Sequence, residues 1–197
     1  MKVLVACEYS GIVRDAFAKK GHDAWSCDIL PTESKGNHIQ DDILKHLDKN
    51  WDLMIAHPPC THLAVSGARW FTEGKKDWSL QTEALDFVRK LLNAPIDKIA
   101  LENPVSVIST KIRKPNQIIQ PYQFGHNVSK KTCLWLKNLP NLTPTKIVEP
   151  DIVNINGYKM SRFHYDTCRL PKEIRGKVRS RFYEGIADAM VDQWGNL

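Results

Sequence analysis

The feature that most constrains the fold is the regular exchange, over the first hundred residues, of short apolar runs with amphipathic stretches. Residues 2 to 7, "KVLVAC", read as a buried strand, and Gly11 to Lys20 as a helix with Ile12, Ala16 and Phe17 turned inward. "HDAWSCD" reads as a second strand ending at Asp28, "DDILKHLDKN" as a short amphipathic helix, and "DLMIAH" as a third strand. From an N-cap at Asp77 or Ser79, "LQTEALDFVRKLLN" sets Leu80, Ala84, Phe87, Val88, Leu91 and Leu92 on one side of a helix, and "KIALE" follows as a strand at 98 to 102. Strand and helix taken in turn predict an α/β protein with a mainly parallel central sheet and flanking helices. Beyond Pro104, "QIIQPYQFG" and "KKTCLWLKNLPNL" read as extended and 137 to 156 as turn-rich. "EIRGKVRSRFYEGIADAMVDQW" reads as one or two helices broken near Gly176 or Gly185.

A chain of 197 residues suits a single domain, 1–197. With 42% hydrophobic and 25% charged residues it is neither disordered nor collagen-like. The opening "MKVLVACEYSG" is apolar for only a few residues before Glu8, unlike a signal peptide or membrane span, so a cytoplasmic protein with no membrane partner is expected. The cysteines at 7, 27, 60, 133 and 168 form no CxxC pair and are odd in number, so free thiols and no metal knuckle are expected. The net charge is +6, and residues 159 to 181 carry eight basic and two acidic residues, enough to account for all of it. Such a span suits a polyanionic partner or, equally, a solvated helix face.

In an open α/β sheet, ligands sit beyond the carboxyl ends of the strands. The residues there are Cys7 to Gly11, Asp28, His57 to Cys60 and Glu102 to Pro104. Cys60 follows two prolines, which fix two φ angles and hold the thiol in a set direction, as a nucleophile requires; an inert buried thiol is the plainer reading. Glu102, in "ALENP", brings a carboxyl group to the end of a second strand, where it can move a proton or cap the next helix.

These residues resemble the DNA (cytosine-5)-methyltransferase family. "PCTHLAVSG" keeps Pro59, Cys60, Ser66 and Gly67 at the spacing of that family's nucleophile loop, and its Glu-Asn-Val is similar to Glu102, Asn103 and Pro104. Its glycine-rich turn is reduced to "CEYSG", its ribose-binding acid falls at Asp28, and its adenine-contacting Asp-Ile falls at Asp42 and Ile43. The resemblance covers residues 3 to about 104, and small chains of this kind are similar to methyltransferase-like proteins of phages and prophages. It implies a Rossmann-like fold that binds S-adenosyl-L-methionine. Cys60 would add to carbon 6 of cytosine, Glu102 would serve ring nitrogen 3, and Asn103 and Lys130 would support them. Cys7, Glu8, Ser10, Gly11, Asp28, Ile29, Asp42, Ile43, His57, Pro58 and Gly185 would hold the cofactor. Pro59, Ser66, Gly67, Lys131, Arg162, Arg179 and Arg181 would meet the substrate, DNA or a cytosine nucleotide.

Three departures stand out. Two arginines on a later strand of the family are replaced by Lys130 and Thr132, and Lys cannot make a bidentate guanidinium contact. The last family motif is replaced by "YEGIADAM", with Gly185 and Arg181 near the cofactor. The long target recognition region shrinks to about 137–181, so a single strand, a free nucleotide, or DNA met through a second copy or a partner protein are alternative substrates. A zinc deaminase is disfavoured because Leu63 stands where its second cysteine would be, leaving only His57, Cys60 and His62 as stray ligands. An amino methyltransferase lacks both flanks of its double proline in "HPPC", and a catalytically silent binding module would need neither Cys60 nor Glu102.

Overall fold

The computed structural model describes residues 1–197, the side chain of Lys172 excepted. Its elements are β1 (Lys2–Ala6), α1 (Ile12–Lys19), β2 (Asp23–Asp28), β3 (His38–Gln40), β4 (Leu53–Ala56), α2 (Arg69–Thr72), α3 (Trp78–Leu92), β5 (Lys98–Pro104), α4 (Ile108–Lys111), β6 (Gln117–Ile119), β7 (Thr132–Lys137), β8 (Ile152–Ile155), β9 (Tyr158–Ser161), α5 (Arg162–Cys168), α6 (Lys172–Ser180) and α7 (Glu184–Trp194). Seven strands form one sheet in the order β3-β2-β1-β4-β5-β7-β6, and β8 pairs with β9 in a separate hairpin. Strands β1 to β5 are parallel, while β7 runs antiparallel to both β5 and β6. This is the Rossmann-like 3-2-1-4-5-6 order with one reversed strand inserted before the last.

Both faces of the sheet are covered, which explains why the central strands read as unbroken apolar runs. Alternate residues of each strand feed opposite layers. Val3, Val5, Leu53 and Ile55 meet α1 and α7 through Phe17, Ile186, Met190 and Trp194. Leu4, Ala6, Met54 and Ala56 meet α3 through Leu85, Val88 and Leu91. The expected cap of α3 is present, Asp77 accepting from the Ser79 amide. Its buried face is turned from the one read above: Gln81 and Leu85 go inward, while Leu80 is exposed.

The helix expected over 41 to 50 reduces to one 3-10 turn, Ile43–Lys45. Asp42 accepts from the Leu44 amide, and Asp41 collects the Asp42 amide, Lys45 Nζ and His46 Nε2. These side-chain bonds close a local turn in competition with the helical ladder. The final helical stretch breaks at 181–183, between α6 and α7, so Gly176 lies inside α6 and Gly185 in the first turn of α7. The stretch read as turn-rich ends in β8, which is joined to β9 beyond it by Asn156-Gly157, both at positive φ, the Asn-Gly signal of a two-residue hairpin. Among the described residues no helix is long and apolar enough to cross a membrane.

Candidate active site

The carboxyl ends of β4 and β5 lie side by side, with Ala56 opposite Leu101, so His57 and Glu102 are the next residues along each. His57 Nδ1 stands 3.4 Å from Glu102 Oε2, and both side chains are largely buried. One residue further on, Asn103 Nδ2 donates to the Pro58 carbonyl at 2.9 Å, tying the proline turn to β5. The loop after Cys60 is then pinned along the other strand end: the Val65 amide donates to Val105 O and the Val107 amide to Leu63 O. Cys60 itself is exposed, and its carbonyl accepts from the Leu63 and Ala64 amides.

The thiol of Cys60 titrates above the ordinary cysteine range, first because nearby protein atoms take it from water and then because the Glu102 carboxylate repels the thiolate. Lys130 and Lys76 act in the opposite sense. The thiol, the carboxyl group and two ammonium groups therefore share one electrostatic neighbourhood. Lys130 is held by a bond from Nζ to Arg179 O at 2.9 Å and lies over the ring of Tyr183. The Tyr183 hydroxyl is buried without a partner, and burial together with the Glu102 charge pushes its pKa up to about 12.

A cavity of 380 Å³ lies beside this group at the end of β1. Cys7 to Ser10, Glu33 and His57 line it, covered by Lys177, Val178 and Ser180 to Phe182. Glu8 serves the fold directly: its carboxylate accepts from the Val13 and Arg14 amides and from Ser10 Oγ, capping α1. Gly11 has φ 78°, and a Cβ there would strike Ser34 Oγ and the Arg14 guanidinium. Arg14 is fully buried and donates to Ser26, Thr32 and Ser34, fastening to α1 the loop that carries Glu33. Lys177 of α6 closes the roof with an ion pair to Glu33 at 2.6 Å, and Phe182 rests on the His57 ring.

Asp28, Asp42 and Cys7 come together at the ends of β1, β2 and the turn after β3, and both acids, with burial foremost, raise the Cys7 thiol. Ile29 is 73% exposed, whereas Ile43 is packed in the core. Gly185 stands against the Phe124 carbonyl, and its amide donates to His126 Nε2, so that glycine is spent on close packing instead of on the cavity. Ser66 and Gly67 lie on a 3-10 turn, Val65–Gly67, a few residues past Cys60. Lys131 is exposed. Of the three arginines expected to meet substrate, Arg162 pairs with Asp151, Arg179 is folded onto Thr167 and His164, and only Arg181 lines the cavity. The pairing of His57 with Glu102, the Glu33–Lys177 ion pair and the place of Tyr183 each depend on a contact between distant segments, and no local pattern announces them. Among the described residues no three His, Cys, Asp or Glu side chains converge to hold a metal ion.

Fold and strand ends together define an α/β Rossmann-like protein with its crevice at the carboxyl edge of the sheet. No protein-family model and no curated protein matches the sequence. Among solved structures it is similar to a candidate DNA modification methyltransferase encoded within a prophage of E. coli, with a TM-score of 0.46 and 17% identity over 78% of this chain. The match spans 56% of that longer chain.

Proposed function

We propose that this protein is an S-adenosyl-L-methionine-dependent methyltransferase that acts on carbon 5 of cytosine in DNA through a covalent cysteine adduct. The observation that carries the reading is the placement of Cys60 and Glu102 at the ends of neighbouring parallel strands, electrically coupled, with Lys130 beside them and a cavity next door. The cavity is of a size that small-molecule sites have. It is lined by His57, whose buried Nε2 has no partner, and by the carboxylates of Glu8 and Glu33 beside Lys177 and Arg181. Asp28, Asp42 and the backbone from Cys7 to Gly11 would hold that cofactor, which when bound supplies an electrophilic methyl group.

The residues of the chain do the rest. In the resting pair the negative Glu102 opposes ionisation of Cys60. Moving one proton from the thiol side to Glu102 gives a thiolate and a carboxylic acid of the same total charge, and Lys130 and Lys76 favour that thiolate. The sulfur then bonds to carbon 6 as Glu102 delivers its proton to ring nitrogen 3, which makes carbon 5 electron-rich. Once carbon 5 carries the methyl group, solvent water takes its hydrogen as a proton, ring nitrogen 3 returns its proton to Glu102, the ring double bond re-forms and Cys60 leaves as a thiolate. His57 orients Glu102, and Asn103 holds the proline turn at the matching height.

The test is incubation with methyl-labelled cofactor and, separately, duplex DNA, single-stranded DNA, RNA and dCMP. Label should enter a cytosine-bearing pool and vanish in Cys60→Ser, and a 5-fluorocytosine substrate, with no hydrogen to lose at carbon 5, should remain bound to the protein. Transfer that survives in Cys60→Ser, or no transfer from a protein that still binds the cofactor, overturns the proposal; the latter result is that of a silent binding module.

A further inference from the structure

The segment Arg69 to Trp78 enters the mechanism only through the charge of Lys76, yet it is attached to the nucleophile loop. Lys76 Nζ donates to the carbonyl of Thr61, the neighbour of Cys60, at 2.7 Å. The Phe71 ring lies edge-on to His62, and Gln81 at the start of α3 donates to His62 O. Six aromatic or basic side chains then stack against one another. Arg69 and Lys75 lie over the Trp70 ring at 4.4 and 4.7 Å, Lys76 lies over Phe71 at 5.3 Å, and Phe71 meets Trp78 at 5.1 Å. Trp78 is 56% exposed although it is among the largest apolar side chains in the protein.

We infer that this segment is a docking platform for an unpaired polynucleotide strand, on which Trp78 stacks a base and Arg69, Lys75 and Lys76 face phosphates. The inference rests on the reading of Cys60 as a pyrimidine nucleophile and adds the strandedness of the substrate. An indole held by Phe71 on one side and open to water on the other offers a π surface to any base, but only to a base that is not already stacked in a duplex. Trp70 holds two long cationic side chains in place, which lowers the entropy lost when they meet a backbone. Glu73, paired with Lys75, is the one acid within the segment before the capping Asp77, so the charge facing a strand stays positive. An unpaired strand also removes the few kcal/mol needed to extrude a base from a duplex. The fold matches that need: between β7 and α6 it provides a two-stranded hairpin and one short helix.

The experiment is fluorescence anisotropy of the full chain with one labelled sequence as single-stranded DNA, as RNA and as DNA duplex. Either single strand should bind at least about tenfold more tightly than the duplex, and Trp78→Ala should lose about tenfold in single-strand affinity while Trp78→Phe keeps most of it. The DNA and RNA arms identify which strand is preferred. A duplex bound as tightly as the single strands, or a folded Trp78→Ala variant with unchanged affinity, overturns the platform. If Trp78→Ala does not fold, the wild-type preference decides alone. The methyl-transfer assay on the wild-type chain separates the two proposals: strand binding without methyl transfer in any pool removes the enzyme and keeps the platform, whereas methylation confined to duplex DNA does the reverse.

Discussion

Replacing Asn103 tests whether the two strand ends are held in register by one buried amide. In Asn103→Ala the Pro58 carbonyl loses the donor now 2.9 Å away, and a buried acceptor left alone costs about 1–3 kcal/mol. Part of that is returned, because Asn103 Oδ1 is itself buried without a partner and disappears with the side chain. The net loss is about 1–2 kcal/mol, which for a chain of this length lowers Tm by about 3–6 °C. Asn103→Asp should be worse than the truncation, since it keeps the orphaned oxygen and sets a second oxygen, with negative charge, against the Pro58 carbonyl. Catalysis should suffer more than stability: an ångström of drift in the Cys60 turn costs about a hundredfold in rate. Thermal melting of the three proteins and methyl transfer under saturating cofactor provide the readings. A melting point within about a degree of wild type in Asn103→Ala, or an aspartate variant more stable than the alanine one, refutes the reasoning.

The Cys60 environment makes a signed prediction for the pH dependence of alkylation. Glu102→Gln removes a charge that raises the thiol and should move the iodoacetamide rate profile to lower pH, whereas Lys130→Met should move it higher, both read in a Cys168→Ser background because Cys168 is exposed too. Profiles shifting together or not at all would dismiss the coupled pair. Tyr183 titrates near 12 in the folded protein against an ordinary 10.0, so between those values the unfolded chain loses its proton first and stability falls as pH rises. Tyr183→Phe should flatten that alkaline limb in pH-dependent urea denaturation, and at neutral pH it should raise stability by about 1 kcal/mol because a buried hydroxyl without a partner is removed. An unchanged limb refutes it.

Local pattern was enough to reveal the first five strands but one, the N-cap of α3, and the positions of Cys60 and Glu102 towards two strand ends, because period and turn chemistry are written residue by residue. It could have revealed the β8–β9 hairpin too, since "INGY" carries the Asn-Gly turn between two apolar residues, but a short exposed hairpin has little hydrophobic alternation to draw attention. It misjudged 41 to 50, where polar side chains tie the backbone into a turn despite a helical pattern.

What the chain by itself determined is the alternating plan of the sheet and the kind of chemistry at its rim: a thiol on a stiff turn and a carboxyl group one strand along. What only the tertiary structure decided is who accompanies them. His57 faces Glu102 because β4 and β5 align in parallel register, and the charge of Lys130 acts on Cys60 from a segment that a bond to Arg179 O fastens to α6. Tyr183 and Lys177 arrive from the last fifth of the chain. Strand ends follow from short-range periodicity, whereas the charges that tune a thiol come from whatever the packed core brings within a few ångströms, and that is fixed only when the whole chain has closed on itself.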